Sequence, residues 1–318
     1  MKETQHVTAL SVVHATVVAI LILLFLWPAG SAEPRNLPIG LVGPDQQTSQ
    51  IASMVDQQQP DAVEFTSYSS KQDAEDAIAN KEIYGAIVLG PQPEALIATA
   101  ANPSVAQFIR ELGGNLMNMS AQQQGMQIPQ LKVTELAALA EADQRGAVLG
   151  SAALPLVIGG ISLGALAALR LKTGAGRIAL VSIASLITGA VAAATVSGIF
   201  GALPGDYFMN TLAMAGILAA IGFALIGAHA VAGMVGFGLT AATLFLLGNP
   251  LNGVALPAEF YPGIWGAVGQ LMPLGSGFEL LKRINYFELS DQSAQWWVLV
   301  AWISIGFLLS LFALRKKA

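Results

Sequence analysis

Apolar stretches long enough to cross a membrane alternate with polar stretches along the chain. Residues 7–27 carry no charged side chain, and at about 1.5 Å per residue a helix of this length spans the hydrocarbon core of a bilayer. Residues 209–248 are too long for one span, so we expect two helices of about 20 residues each, joined by a turn near residues 228–233. Three further stretches have the length of one span: 147–169, 177–200 and 296–314. The pattern therefore predicts six membrane-spanning helices.

The first apolar stretch has a second interpretation, as a cleaved signal peptide. Lys2 precedes it, and the small residues Gly30, Ser31 and Ala32 follow it at a plausible cleavage point. However, the stretch is longer than the roughly 7–15 residues of a signal-peptide core. We therefore predict an uncleaved anchor at residues 1–32. Under either interpretation the segment after it is translocated.

Basic residues mark one side of the predicted bundle. When six spans are threaded, Lys2, the turn at residues 170–177 and the tail at residues 315–317 fall on the same side. Because Lys and Arg beside span ends favour the cytoplasm, both termini of this cell-membrane protein are predicted to be cytoplasmic. Residues 33–145 then lie on the extracytoplasmic side. Removal of the first span as a signal peptide would leave five spans with the same orientation.

Within residues 33–145 the pattern changes to that of a small α/β layer. Short apolar or alternating stretches predict strands, and the stretches between them favour helices, with Asp45 and Ser70 as candidate N-caps. From Pro103 onward apolar residues recur at helical spacing, which predicts a long helix, broken near residues 125–129. The predicted strands are residues 37–42, 61–67 and 84–89, and a predicted helix covers residues 70–80.

Composition and charge indicate two compartments within one chain. The 318 residues are 54% hydrophobic and 11% charged, against about 25% charged residues in soluble domains. Residues 33–145 carry a charge balance of −8, which argues against nucleic acid as a partner, because phosphate binding needs clustered basic residues. The predicted fold is thus a membrane all-α bundle of six transmembrane helices with an inserted extracytoplasmic α/β domain. Its parts are the first helix at 1–32, the α/β domain at 33–145 and a five-helix domain at 146–318.

The sequence contains no motif of an enzyme. It has no cysteine, which excludes thiol catalysis and thiolate metal sites, and no Gly-x-x-x-x-Gly-Lys-Ser/Thr loop that would bind ATP. The stretch Gly233-Met-Val-Gly-Phe-Gly lies in a predicted span and follows no strand, so it is not a dinucleotide-binding loop. His6 and His14 are remote from His229. We therefore predict no catalytic residue, no cofactor and no metal, and a protein that is not an enzyme.

Two features within the spans have more than one interpretation. Gly160 and Gly164 allow close helix approach, either to another helix of the chain or to a dimer partner. His229 is either a proton relay, as ionisable residues inside membranes often are, or a turn residue in contact with water. The pattern favours packing within the chain for the glycines and a turn position for His229.

Residues 249–289 resemble neither a full span nor a hydrophilic loop. They combine four prolines with aromatic residues and glycines, and the apolar stretch 264–272 is too short to cross a membrane. We expect a short re-entrant or interfacial helix pair on the external side, with a purely structural cap on the bundle as the alternative. The candidate site residues of this segment are Pro257, Glu259, Trp265, Pro273, Glu279 and Arg283.

The order of parts, with one span, a large external domain and five further spans, resembles the membrane subunits of type-2 ABC transporters. Among these it is similar to the branch related to the bacterial phage-infection-protein family. Leu37-Pro-Ile-Gly-Leu-Val resembles the first external strand of that family, and Ile83-Tyr-Gly-Ala-Ile-Val its central strand. Leu256-Pro-Ala-Glu-Phe-Tyr and Met272-Pro-Leu-Gly resemble its re-entrant stretch. The likeness extends over nearly the whole chain.

The resemblance implies the membrane subunit of an exporter that moves a hydrophobic or amphipathic, lipid-like substrate. Its implied partners are a separate cytoplasmic ATP-binding subunit and a second permease subunit, identical or related. The turn between the second and third spans is then the expected contact with the ATP-binding subunit. The candidate contact residues are Arg170, Lys172, Thr173 and Arg177. In the family this turn and the N-terminal segment are usually longer, and this chain departs from the family in both.

Two other classes of function stay open. One is an ATPase-independent envelope scaffold whose external domain binds a surface partner. The other is a proton-driven transporter, although the spans lack the buried Asp or Glu that proton coupling normally needs.

Overall fold

The computed structural model describes residues 2–90, 92–124 and 130–315. The predicted helix break near residues 125–129 and the end of the basic tail lie outside the described residues. A small sheet region follows a first long helix, α1 (Lys2–Gly30), and precedes a bundle of helices. Among the described residues, five helices are long and apolar enough to cross a membrane, judged by length and composition: Glu3–Gly30, Ala147–Arg170, Gly174–Ile199, Tyr207–Leu246 and Ser293–Leu311.

One mixed sheet of five strands forms the centre of the sheet region. Its strands are β1 (Leu37–Val42), β2 (Val63–Tyr68), β3 (Gly85–Val88), β4 (Glu94–Ile97) and β5 (Lys132–Glu135). They lie in the order β2-β1-β3-β4-β5, with β3 and β4 antiparallel and the other neighbours parallel. The first three strands confirm the predicted ones. The sequence did not predict β4 and β5, since each has four residues, too few to show a period.

Helices cover both faces of this sheet. α2 (Asp45–Gln58) and α4 (Pro103–Gln124) pack on the face that carries Ile39 and Ile87. α3 (Lys71–Ala79) packs on the opposite face, which carries Leu96. Alternate strand residues thus face two separate cores, as the pleat of a strand requires. The predicted α/β layer is confirmed, and its placement outside the cytoplasm stays a prediction.

One of the two predicted helix caps is confirmed. Ser70 Oγ accepts a hydrogen bond from the backbone N–H of Asp73 at 3.2 Å, which satisfies one unpaired donor of the first turn of α3. The predicted cap at Asp45 is wrong, because Asp45 is the first helical residue and Pro44 precedes it without a side-chain hydrogen bond. In the first turn, the Asp45 carboxylate still interacts favourably with the helix dipole.

The remaining helices build the bundle and the segment before its last helix. They are α5 (Ala147–Arg170), α6 (Gly174–Ala193), α7 (Tyr207–Leu246), α8 (Trp265–Gln270), α9 (Pro273–Tyr286) and α10 (Ser293–Arg315). A π-helical turn, Ala194–Ile199, continues α6. α7 is the central helix, packed by α5, α6 and α10. It is apolar on all sides, as a helix in the middle of a bundle must be.

α7 consists of two helical arms that are separated by a break in the backbone at Ala232 and Gly233, where Gly233 has a φ of +60°. A Cβ on Gly236 would lie 2.5 Å from the carbonyl oxygen of Ala228, whereas eight residues of straight helix cover roughly 12 Å. The chain therefore reverses direction here, inside the predicted turn. Leu244 in the second arm accordingly shares a hydrophobic core with the first arm.

The predicted small-residue pair packs within the chain. A Cβ on Gly160 would lie 2.8 Å from the Ile221 side chain, and one on Gly164 would lie 2.8 Å from the Leu225 side chain. Both partners belong to the first arm of α7. The glycines therefore bring α5 and α7 together, so the interpretation as intramolecular packing is confirmed for this pair.

α1 touches the rest of the molecule near one end. Phe25 lies against Phe245, with ring centroids 5.9 Å apart, and Trp27 lies edge-on to Trp265 at 5.7 Å. Along most of its length its apolar side chains are exposed. This is expected of a helix whose surroundings are hydrocarbon rather than water.

Candidate functional site

An uncharged groove opens between α5 and α6, in the half of the bundle next to the sheet region. It encloses about 540 Å³. α5 contributes Pro155 and Gly159, α6 contributes Thr188, and the first arm of α7 contributes Met214 and Leu218. The volume is within the roughly 300–1,000 Å³ of sites that bind small molecules. The groove can therefore hold an apolar ligand of that size.

The π-helical turn forms part of the groove wall through Thr195 and Val196. Such turns are rare inside helices and frequently mark functional sites. The hydroxyl of Ser197 in this turn is buried without a hydrogen-bond partner among the described residues. Beside the groove, Ile158 and Ile187 expose half or more of their surface. In a bilayer these side chains would meet lipid, so the groove opens sideways toward the hydrocarbon.

A second site, which unlike the groove is polar, connects the sheet region to α9. Glu279 on α9 pairs with Lys81 of the sheet region and accepts a hydrogen bond from Arg283 Nε at 2.9 Å. The Tyr84 hydroxyl donates to Glu259 Oε2 at 2.9 Å. All five side chains line one cavity of about 250 Å³. We call this group the junction cluster.

Burial and charge act against each other in the junction cluster. Burial alone would raise the pKa of the Glu279 carboxyl, but the positive charges of Lys81, Lys282 and Arg283 outweigh it and hold that pKa below its ordinary value. Burial, helped by the charge of Glu259, raises the pKa of the Tyr84 hydroxyl well above its ordinary value. The Glu279 carboxylate is therefore charged and the phenol is neutral at physiological pH.

The structure gathers some of the predicted residues of 249–289 and separates others. Glu259, Glu279 and Arg283 meet in the junction cluster, and Pro257 also lines its cavity. Trp265 instead begins α8 and packs on Trp27. Pro273 is the first residue of α9, where proline is favoured because its fixed φ suits a helix start. The predicted short helix pair is thus present as α8 and α9, and neither is among the five candidate spans.

Lys81 and Tyr84 belong to the junction cluster, yet the sequence pattern did not single them out. One signal was available. A mainly apolar segment that contains Glu279 and Arg283 needs charged or polar partners when it is buried. The identity of those partners was not readable, because the ion pair joins positions 198 residues apart.

The turn between α5 and α6 is tighter than predicted. α5 ends at Arg170 and α6 begins at Gly174. Thr173 caps α6 by accepting a hydrogen bond from the N–H of Gly176. Arg177 donates through Nε to the Leu171 carbonyl at 2.9 Å, and its Nη1 lies 3.3 Å from His229 Nδ1.

These contacts divide the four candidate residues of the turn into two groups. Thr173 and Arg177 hold the turn together and connect it to the break in α7. Arg170 and Lys172 form no ion pair among the described residues, and both are exposed, so both are available to a partner. The contact of Arg177 with His229 also places His229 at a turn, beside a permanent cation.

Comparison with known proteins gives one match. Residues 9–144 match the family model described as ABC-2 family transporter protein. The match covers less than half of the chain, and it spans α1, the sheet region and the approach to α5. No curated protein and no solved structure matches the chain. The match supports the resemblance to type-2 ABC permeases, while the narrower likeness to the phage-infection-protein branch stays a prediction. Together with the long apolar helices, it identifies the chain as a multi-pass membrane protein that is similar to ABC-2 family transporters.

Proposed function

We propose that the chain is the membrane subunit of an ABC-type exporter that moves a hydrophobic or amphipathic molecule with the help of a separate ATP-binding subunit. The observation that carries this proposal is the uncharged groove between α5 and α6. A hydrocarbon chain can enter such a groove from the bilayer without leaving an apolar environment, so entry has no desolvation cost for the apolar part. The match of residues 9–144 to ABC-2 family transporters supports the same function.

The proposed arrangement has six spans. The first arm of α7, residues 207–231, has the length of one span. The second arm, residues 234–246, is shorter, but its helical hydrogen-bond pattern continues to Leu251. The contact between Arg177 and His229 supports it, since it brings the α5–α6 turn and the α7 break together at one end of the bundle. The basic residues of the first turn favour the cytoplasm for that end. The groove and the sheet region then face the external side, with both termini in the cytoplasm.

Transport in this proposal requires two arrangements of the bundle that differ in affinity for the substrate. ATP would be hydrolysed in the partner subunit, and a second permease subunit would complete the transporter. Arg170 and Lys172 are the proposed contacts of the ATP-binding subunit, because they are accessible and basic. Thr173 and Arg177 would keep the turn rigid enough to transmit a push to α5 and α6.

One observation favours the alternative, an ATPase-independent envelope scaffold. The connection between α5 and α6 is limited to residues 171–173. So short a turn offers a small contact area, whereas specific protein interfaces bury about 800 Å² on each partner. In the scaffold, the sheet region would bind a surface partner and the helices would serve as its anchor.

The deciding experiment purifies the full chain from its native membrane and asks whether an ATP-binding subunit accompanies it. We expect such a subunit to co-purify, and to drive ATP-dependent movement of a fluorescent long-chain lipid between leaflets in proteoliposomes. Arg170→Glu combined with Lys172→Glu should abolish both. This pair leaves the structural contacts of Arg177 intact.

Gly159→Leu, which fills the groove, should slow movement while the ATP-binding subunit still co-purifies. Leu166→Phe is the matched control, because Leu166 is exposed on the same helix and does not line the groove. Absence of any ATP-binding subunit, together with absence of ATP-dependent movement, would favour the scaffold.

A further inference from the structure

A third cavity, of about 310 Å³, lies between the sheet region and the start of α5. We call it the basic cavity. Ser104, Arg145, Ala147 and Lys282 are among its lining residues. Two of these carry a positive charge, and none of the described residues that line the cavity is Asp or Glu. The wall is therefore complementary to an anion.

Lys282 is a buried cation that lies between the basic cavity and the cavity of the junction cluster and lines both. The residue is 6% exposed, and its Nζ donates to the carbonyl oxygens of Ala101 at 3.2 Å and Gly253 at 3.0 Å. An ammonium group has three donors, so one remains. The Lys282 ammonium forms no direct ion pair among the described residues, although the charges of Glu279 and Glu259 in the junction cluster act on it from a greater distance. Burial, followed by the nearby charge of Lys81, lowers the pKa of this amine to about 8.

Arg145 supplies the second positive charge and has no ion-pair partner among the described residues. The carboxylate nearest to it in sequence, Asp143, is otherwise engaged. Asp143 accepts hydrogen bonds from the backbone N–H groups of Val148 at 3.1 Å and Leu149 at 3.3 Å, at the start of α5. The guanidinium is thus available to an external anion, for which it offers a planar, two-pronged donor.

The basic cavity and the groove are neighbours, because Ala147 lines both. One molecule can therefore place a charged end in the first and an apolar end in the second. We propose that the molecule bound and moved by this protein is an anionic amphiphile, with a phosphate or carboxylate head in the basic cavity and a hydrocarbon part in the groove. This inference rests on the proposed function, since the groove is the site that the proposed substrate occupies.

The test uses the full chain in nanodiscs of phosphatidylcholine that contain a trace of photoreactive lipid. The photoreactive probe is either phosphatidylglycerol, which is anionic, or phosphatidylcholine with the same acyl chains, which is zwitterionic. We expect phosphatidylglycerol to label the unmodified chain roughly tenfold more, the effect of about one charge-assisted hydrogen bond. Arg145→Gln should bring the ratio of the two labels close to one.

Three further variants make the result specific. Lys282→Met should also lower the ratio, although it leaves two carbonyl groups without a donor and so can disturb folding; the exposed Arg145 avoids that problem. Arg110→Gln removes one positive charge from α4, away from the basic cavity, and should keep the full ratio. Gly159→Leu should reduce labelling by both lipids, because both need the groove.

The outcomes separate this inference from the proposed function. Equal labelling by the two lipids, with loss of both in Gly159→Leu, would overturn the anionic head and leave the proposed function standing. No effect of Gly159→Leu on either lipid would overturn both. Inorganic phosphate serves as a competitor. If phosphate binds to the unmodified chain but not to Arg145→Gln, and the two lipids label equally, the site holds a free oxyanion. That result would also overturn the inference.

Discussion

Lys81 and Glu279 form a buried ion pair that connects the sheet region to α9. Lys81 follows the end of α3 in a left-handed conformation, with a φ of +58°, which a residue other than glycine adopts at some cost. Its side chain is 7% exposed. Toward the C-terminal end of α9, Asn285 exchanges hydrogen bonds with Asn210 of α7. α9 is thus held by the sheet region and the bundle at once.

Lys81→Met should therefore destabilise the protein strongly. Loss of one partner of a buried pair costs up to about 3–5 kcal/mol, and here Arg283 stays as the second cation beside Glu279, so we expect a cost toward the lower end of that range. The double variant Lys81→Met/Glu279→Met should cost less than the two single changes added together. Thermal unfolding in detergent measures all three.

The control for the ion pair is Arg110→Gln. Arg110 lies 3.8 Å from Glu135 in a partly exposed pair, for which the expected cost is below about 1 kcal/mol. Lys81→Met should lower the melting temperature clearly more than this variant does. Equal effects would show that the buried pair does not connect the two parts.

Glu94 should make the stability of the protein depend on pH in the acidic range. Burial alone would raise the pKa of its carboxyl, but hydrogen bonds from Thr134, Lys71 and Lys132 outweigh burial and lower that pKa from 4.5 to about 2. In the unfolded chain the carboxyl binds its proton first as the pH falls. The stability that Glu94 contributes is therefore complete above pH 4.5 and is lost as the pH falls toward 2, by roughly 3 kcal/mol.

Glu94→Gln should remove this part of the pH dependence and lower the melting temperature at neutral pH. Glu111→Gln is the control, because Glu111 is an exposed helix residue that accepts a hydrogen bond from Gln107 one turn earlier. Melting temperatures measured between about pH 7 and pH 3 compare the three proteins. A curve for Glu94→Gln that parallels the unmodified protein would exclude the assigned role of Glu94.

Residues 33–145 should fold as a separate domain. Two hydrophobic cores on the two faces of the sheet lie almost entirely within this range, and about 110 residues is an ordinary domain size. Phe260 and Phe287 reach into these cores from outside the range, so the fragment exposes their contact surfaces. We expect a soluble fragment with a mixed α/β circular dichroism spectrum and a lower melting temperature than the same region has in the full chain. A random-coil spectrum would contradict the domain boundaries.

Gly306 should tolerate no side chain. A Cβ there would lie 2.3 Å from backbone atoms of Phe223, at the crossing of α10 and α7. Gly306→Ala should therefore separate the two helices and reduce both folded yield and melting temperature. Gly238 has nothing within 4 Å of an added Cβ, so Gly238→Ala should be neutral or slightly stabilising, because alanine favours helix. Equal behaviour of the two variants would argue against so close a crossing of α10 and α7.

Single cysteines can map the orientation, since the chain has none of its own. A cysteine at Thr173 should react only with reagents in the cytoplasm, and one at Asn80 only with reagents outside. A cysteine at Val231, which is 65% exposed at the break in α7, should react from the cytoplasm if each arm is a span. Labelling of Asn80 solely from inside would reverse the whole assignment.

Sequence patterns revealed the long elements because one property suffices for each. A span needs length and the absence of charge, and a buried strand such as β1 needs a run of apolar residues. β4 and β5 lack that information, because four residues show no period and their pairing comes from the sheet. Likewise, charges such as Glu279 and Arg283 stood out in an apolar segment. The groove did not stand out, because its uncharged lining comes from three helices and forms no pattern along the sequence.

The position of α9 also governs the order of events during synthesis. Lys81 leaves the ribosome 198 residues before Glu279, a delay of roughly 10–40 s at about 5–20 residues per second. During that time the sheet region can close its own cores, while the lysine and the surface that later receives Phe260 stay in contact with water. The nascent protein therefore passes through a stage in which an apolar surface of the sheet region is exposed to water. A chaperone that recognises this surface would act before the last helix is made.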